Sequence, residues 1–276
     1  MTDALAWLTE PLQHPFMIRA MLVGSFVGVV CATLSCFVVL KGWSLVGDAL
    51  SHAVLPGIIL AYLAGLPMAL GAVVSGVACV SMSGLIEART RVKPDAVLGI
   101  LFTGFLAVGL ILLAANPGDV HFTHIMVGNL LGIEQDDLVQ ALAVGSVTLL
   151  AVLALRRDLI LVCFDPAQAR VLGLHPGRLE LVLLVLLALT VVAALQVVGL
   201  VLAIAMLVTP GCTGLLLARR FGAVMAWAWA SAVVSCVAGA YVSFHLDGAT
   251  GPCIVLVQAG LFLLALMTRR WTAASG

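Results

Sequence analysis

The chain has 276 residues, 63% of them hydrophobic and 9% charged, and its 13 Lys+Arg balance its 13 Asp+Glu to a formal net charge of zero. A soluble domain is about half apolar and a quarter charged, so this composition belongs to a membrane protein. The neutral balance removes any global attraction to nucleic acid.

Several runs reach the roughly 20 apolar residues that a bilayer crossing needs, and they fill most of the chain. Only helices and closed barrels satisfy the backbone in lipid, and these runs do not alternate as barrel strands do. The expected fold is therefore all-α: a polytopic membrane helix bundle of about 8–9 transmembrane helices, forming one transmembrane domain over residues 1–276 with no room for a second, soluble one. Residues 1–15 carry Asp3, Glu10 and Pro15 and no basic amino-terminal region, so the spans themselves are expected to direct insertion. The seven cysteines lie in or beside apolar runs without a CxxC pair and read as small core residues.

Nine apolar runs can be drawn, at 16–40, 44–65, 67–86, 96–115, 138–155, 179–197, 198–218, 222–244 and 251–268. Basic residues choose the cytoplasmic side of a span. Lys41, then Arg89, Arg91 and Lys93, then Arg156, Arg157, Arg170 and Arg178, then Arg219 and Arg220, and finally Arg269 and Arg270 fall in alternate connections. That alternation fits nine crossings with the amino terminus outside. Eight remain open, because the 198–199 break is thin and the second run is interrupted.

The second run holds Gly47-Asp48-Ala49-Leu50-Ser51-His52-Ala53-Val54-Leu55-Pro56-Gly57. Positions four apart share a helix face, so Asp48 and His52 would project together. If Lys41 marks the cytoplasmic boundary, the helical rise puts them roughly 10 and 16 Å inward, near the middle of the bilayer. Pro56 lacks the N–H that would bond the carbonyl of residue 52, so Pro56 and Gly57 read as a helix break. Carboxylate, imidazole and a loosened carbonyl suit a divalent first-row metal. No other Asp, Glu, Lys or His lies well inside a run, and an intramembrane ionisable pair points to function because burying it unpartnered costs several kcal/mol. The plainer alternative is a structural Asp48–His52 bond that pins a helix.

Within the acidic 116–137 segment, His121 and His124 are three apart and form a candidate vestibule, or serve interfacial packing. Asp165 followed by Pro166 is a helix start, with the acid as N-cap, and Gly173 is a stop. The short cytoplasmic helix between them presents Val171, Leu172 and Leu174, an apolar surface that a soluble partner would explain; the plainer alternative is a mere connector. Thr209-Pro210-Gly211 interrupts the seventh run, so Pro210 reads as another helix break. His245 and Asp247 stand at the outer end of the eighth run, as a second candidate vestibule or as markers of the water interface.

The Gly47–Gly57 motif resembles the ABC-transporter permeases for manganese, iron and zinc. So do Phe164-Asp165-Pro166 leading to Leu172-Gly173-Leu174, Val198-Gly199-Leu200 with Pro210, the stretch from His124 to Gly132, and that from Ser243 to Gly251. The resemblance covers nearly the whole chain. It is nearest the manganese/chelated-iron branch, where His-Ala-Val-Leu-Pro-Gly follows the serine as it does here. Pro94 departs from the pattern, which has an acid at that position.

The resemblance implies one permease domain, working as a homodimer or as a heterodimer with a paralogue. It also implies a cytoplasmic ABC ATPase dimer and an extracytoplasmic metal-binding protein, in the bacterial cytoplasmic (inner) membrane. It places Asp48 and His52 on the metal pathway. It makes the helix at about 165–174 the coupling helix, with Phe164, Asp165, Pro166, Arg170, Leu172, Gly173 and Leu174 meeting the ATPase. The cargo would be Mn²⁺ or Fe²⁺, with Zn²⁺ also open, and no permanently bound cofactor is expected. The chain has no G-x-x-x-x-G-K-[ST] loop, so ATP is expected on the partner subunit and the chain itself is not an enzyme.

Read without the resemblance, Asp48 and His52 would equally serve an ion-coupled secondary transporter as a proton relay. An intramembrane metal enzyme is disfavoured by the lack of H-E-x-x-H or of a second acid within a span. A siderophore or cobalamin permease would be longer and would not call for a narrow acid–imidazole pair.

Overall fold

Lipid gives backbone polar groups no partner but each other, and the computed structural model answers with helices throughout residues 10–115 and 135–274, the residues it describes. A 3-10 turn at Glu10–Gln13 leads into α1 (Pro15–Leu40). Then come α2 (Ser44–Leu63), α3 (Met68–Arg89), α4 (Pro94–Ala115), α5 (Gln135–Ala154), α6 (Arg156–Phe164) and α7 (Pro166–Val171). The chain continues with α8 (Pro176–Val198), α9 (Leu200–Leu217), α10 (Phe221–Leu246) and α11 (Thr250–Ala274). Each of the nine apolar runs lies on one of these helices.

Among the described residues, seven helices are long and apolar enough to cross a membrane; α5 and α6 together make an eighth if the pair, bent by 68° at residue 155, is one span. The third run, on α3, forms a shorter apolar stretch at Leu70–Ile86. The chain is thus an integral, multi-pass membrane protein.

Two groups of helices flank α8. On one side α1 packs against α9 and α10, with α11 closing over both; on the other, α2 packs against α3 and α4. α8 touches α2, α3 and α5 and carries a nearly continuous buried set from Leu183 to Val198. Phe37 and Leu34 of α1, Leu187 of α8 and Leu207 of α9 fill the shared core. Four of the seven cysteines (Cys31, Cys36, Cys79, Cys236) are buried and all seven are unbridged, as their small-residue reading expects.

The readings of Pro56, Gly57 and Pro210 as helix breaks need correction, because α2 and α9 run through them without interruption. Neighbouring helices bond the backbone beside each proline. Ser75 of α3 donates its hydroxyl to the Ala53 carbonyl at 2.6 Å. Ser35 of α1 sits across Pro210, donating to the Val208 carbonyl at 3.1 Å and accepting from the Gly211 N–H at 2.9 Å. Hydroxyls of this kind are how membrane helices tolerate proline. Ser35→Ala is therefore expected to lower stability by about 1–2 kcal/mol, read as a lowered unfolding temperature in detergent.

Gly57 and Gly71 face each other where α2 crosses α3. A Cβ on Gly57 would lie 2.1 Å from the Gly71 carbonyl oxygen, and one on Gly71 2.0 Å from that of Gly57. Small residues allow such an approach in lipid, where close packing stands in for the hydrophobic effect. The crossing sits one turn beyond His52 and fixes how α2 is presented to its neighbours.

Candidate functional site

Asp48 and His52 lie on one face of α2, as their spacing requires, with His52 Nε2 3.5 Å from Asp48 Oδ1. Neither is sealed: their side chains retain 36% and 22% of their exposure. A separation of 3.5 Å is long for a charge-assisted hydrogen bond, which closes to about 2.7–2.9 Å. The pair is therefore held close without a short hydrogen bond between its members.

Helix α2 presents the pair because its other faces are committed. Ala49, Leu50, Ala53 and Val54 are fully buried, and the Ser51 hydroxyl is turned back onto the Gly47 carbonyl at 2.9 Å. The imidazole of His52 stacks on Phe102 of α4, with centroids 5.7 Å apart and planes inclined by 21°. Beside the ring lies a cavity of about 20 Å³ lined by Ser51, His52, Leu55, Leu106, Leu195 and Leu200. A single water needs about 10–15 Å³ of such space, so the cavity admits one particle of that size. Its walls are otherwise apolar, and His52 is the one titratable group among them.

Two ligands do not make a complete metal site, and no group of three or more His, Cys, Asp or Glu able to hold a metal ion occurs among the described residues. His121 and His124 lie outside the described residues. His245 and Asp247 close the far end of α10, opposite its Arg219–Arg220 end; Asp247 is exposed in the left-handed region (φ 47°, ψ 35°) and His245 meets Phe244 edge-on at 5.4 Å. His14, at the start of α1, packs on the same Phe244 at 5.6 Å. These residues mark the end of the bundle away from Lys41, whereas Asp48 and His52 stand in the half of α2 nearer Lys41.

The second feature is α7. Asp165 Oδ1 accepts from the N–H groups of Ala167 (3.0 Å) and Gln168 (2.9 Å), and Pro166 takes the first helical position, as the sequence indicates. The helix stops in a Schellman motif: Gly173 at φ 81° donates to the Arg170 carbonyl and Leu174 to that of Ala169, both at 3.0 Å. Ala169 anchors the helix inward, while Phe164, Val171 and Leu172 are 66%, 86% and 64% exposed. The capped turn and a half is apolar on its outer side and flanked by Arg170, and its own chain leaves that side uncovered.

Sequence reasoning missed Phe102, which sits in a uniformly apolar run and carries no mark of its contact with His52. It also missed an ion pair between Lys41, at the end of α1, and Glu180 of α8. Opposite charges at the inner ends of the first and sixth runs were the available signal.

A sequence profile of the ABC 3 transport family matches residues 13–269. The manganese transport system membrane protein MntB of Synechocystis sp. is 48% identical over 278 residues, covering 98% of this chain and 91% of that protein. The chelated iron transport system membrane protein YfeD of Yersinia pestis is 51% identical over 260 residues, covering 94% of this chain and 88% of its own length. Among solved structures, PsaBC from Streptococcus pneumoniae in complex with Fab superposes with a TM-score of 0.88 at 30% identity, covering 99% of this chain and all of that one.

Proposed function

The chain belongs to the ABC 3 transport family, and from that premise we propose that it is the membrane-spanning permease subunit of an ATP-driven importer of divalent transition metal ions, Mn²⁺ or Fe²⁺ first and Zn²⁺ as a further cargo. The observation that carries the reading is the partly exposed Asp48–His52 pair on a membrane-spanning helix, with a water-sized cavity beside the imidazole. The names of the relatives MntB and YfeD, manganese and chelated iron, favour the same cargo. The chain works as a single permease domain and as a transport subunit, with catalysis of ATP hydrolysis left to a separate cytoplasmic ATPase dimer.

The chemistry follows from the pair. Asp48 supplies the negative charge that offsets ion dehydration, and neutral His52 supplies a nitrogen of intermediate softness. Phe102 holds the imidazole plane from the side of α4. Two ligands from one chain bind weakly enough to release, which conduction requires. A second permease subunit, identical or a paralogue, brings its own pair to a shared path and raises the ligand number. Only 17% of the span on α4 is buried within the chain, which suits a helix covered by that subunit. An extracytoplasmic metal-binding protein delivers the ion to the His245–Asp247 end. The 165–174 segment is the coupling helix, docking Phe164, Arg170 and Leu172 on the ATPase. The membrane is the bacterial cytoplasmic (inner) one.

The test is reconstitution of the permease with its ATPase and binding protein in liposomes, with uptake of Mn²⁺, Fe²⁺ and Zn²⁺ measured against ATP. ATP-dependent accumulation is the expected result. Uptake that follows a proton gradient and ignores ATP would overturn the reading in favour of an ion-coupled carrier.

A further inference from the structure

The ion pair between Lys41 and Glu180 lies where four segments of the chain converge. Lys41 ends α1 and stands three residues before α2; Trp43, at the start of α2, packs its ring 4.9 Å from Lys41 Nζ and donates its N–H to the Val38 carbonyl of α1 at 2.8 Å. Glu180 lies in the first turns of α8, the helix entered directly from α7. Cys163, at the end of α6, is near enough to feel both charges. The two side chains are only 15% and 33% exposed, so the pair is shielded from water to a degree that a surface bridge is not. Along the chain, Lys41 is seven residues from Asp48, and Glu180 is nine from the end of α7.

We propose that the Lys41–Glu180 pair is the joint through which movement of α7 reaches the helix that carries Asp48 and His52, making both residues positioning residues for ion transfer. The inference rests on the reading of α7 as the ATPase-docking helix. Helices that meet only through apolar side chains slide past one another with little resistance. A shielded ion pair has a defined geometry and a cost of breaking well above that of an exposed one, so it pulls as well as pushes. Glu180 is displaced when α7 and the start of α8 shift; Lys41 follows it, and Trp43 carries the motion into the first turn of α2. The Asp48–His52 face then turns relative to Phe102 on α4, which is not part of the linkage.

The test uses the whole transporter, with ATPase and binding protein, in liposomes, and reads Mn²⁺ taken up per ATP hydrolysed. Lys41→Met and Glu180→Gln are each expected to lower that ratio on the order of tenfold, a loss of about 1.4 kcal/mol of coupling. ATP hydrolysis should persist at the parent rate even though loss of one partner lowers the unfolding temperature. The exchanged variant, K41E with E180K, is expected to recover most of the ratio. An unchanged ratio in the single variants overturns the proposal. So does a loss that the exchange leaves unrepaired, or a parallel fall in hydrolysis and unfolding temperature, which would make the pair an anchor only. Asp48→Asn run alongside separates the failures: if it too transports normally, the pathway reading is lost, whereas if it is inactive while Lys41→Met keeps the full ratio, the joint alone is lost.

Discussion

Asp48→Asn is expected to abolish ATP-dependent metal uptake while the protein still folds and inserts. Asparagine keeps the shape of the side chain and its place 3.5 Å from His52, and removes only the charge. On the proposed pathway, that charge compensates a divalent ion for shedding water within a membrane span. Two unit charges about 4 Å apart attract by roughly 4 kcal/mol at an effective dielectric constant of 20, and a divalent cation doubles this. A third of that loss, near 3 kcal/mol, already lowers ion occupancy about 100-fold. The apolar packing of α2 through Ala49, Leu50, Ala53 and Val54 is untouched, so the variant should elute and unfold as the parent does. His52→Gln removes a neutral ligand and its stacking on Phe102 and should cost less, on the order of tenfold. Uptake in reconstituted liposomes, with folding checked by size-exclusion chromatography, decides the matter. Normal transport by Asp48→Asn would leave the acid without a part in the pathway.

The elements from which this expectation comes were legible in the sequence to different depths. The pairing of Asp48 with His52 follows from helical spacing alone, because four residues make one turn wherever the helix sits. The start and stop of α7 were equally plain, since Asp165, Pro166 and Gly173 act on their own backbone. Contacts between helices were not plain. Phe102 over His52, Ser75 on Ala53 and Ser35 across Pro210 each join residues tens to hundreds of positions apart, and an apolar run gives no sign of which face meets which neighbour. The two proline readings failed for this reason. A missing N–H was visible in the chain, but the hydroxyls bonded to the backbone beside it stand on other helices. The resemblance to metal permeases anticipated the family that the comparisons show, because it rests on motifs spread from Gly47 to Gly251. It had nothing to say about the Lys41–Glu180 pair, which only the fold brings together.

The largest loss of stability is expected from Gly71→Ala, a single added methyl group. That carbon would lie 2.0 Å from the Gly57 carbonyl oxygen and 2.6 Å from the Ala61 side chain. Contact with a backbone oxygen cannot be relieved by a rotamer change, so α2 and α3 must move apart along the crossing. Overpacking a well-filled interior usually costs about 1–3 kcal/mol, and a clash of backbone with backbone belongs at or above the top of that range. Gly84, on the same helix, has open space where its Cβ would stand, and alanine there should be neutral or slightly favourable. Comparing the two variants by thermal unfolding in detergent isolates the crossing from helix propensity. Function should fall with stability, because the crossing sits one turn beyond His52 and separating the helices would turn the Asp48–His52 face away from Phe102 and from the cavity beside it. If Gly71→Ala unfolds at the temperature of the parent, α2 and α3 do not meet as closely as described, and the placement of Asp48 and His52 that depends on that contact is wrong as well.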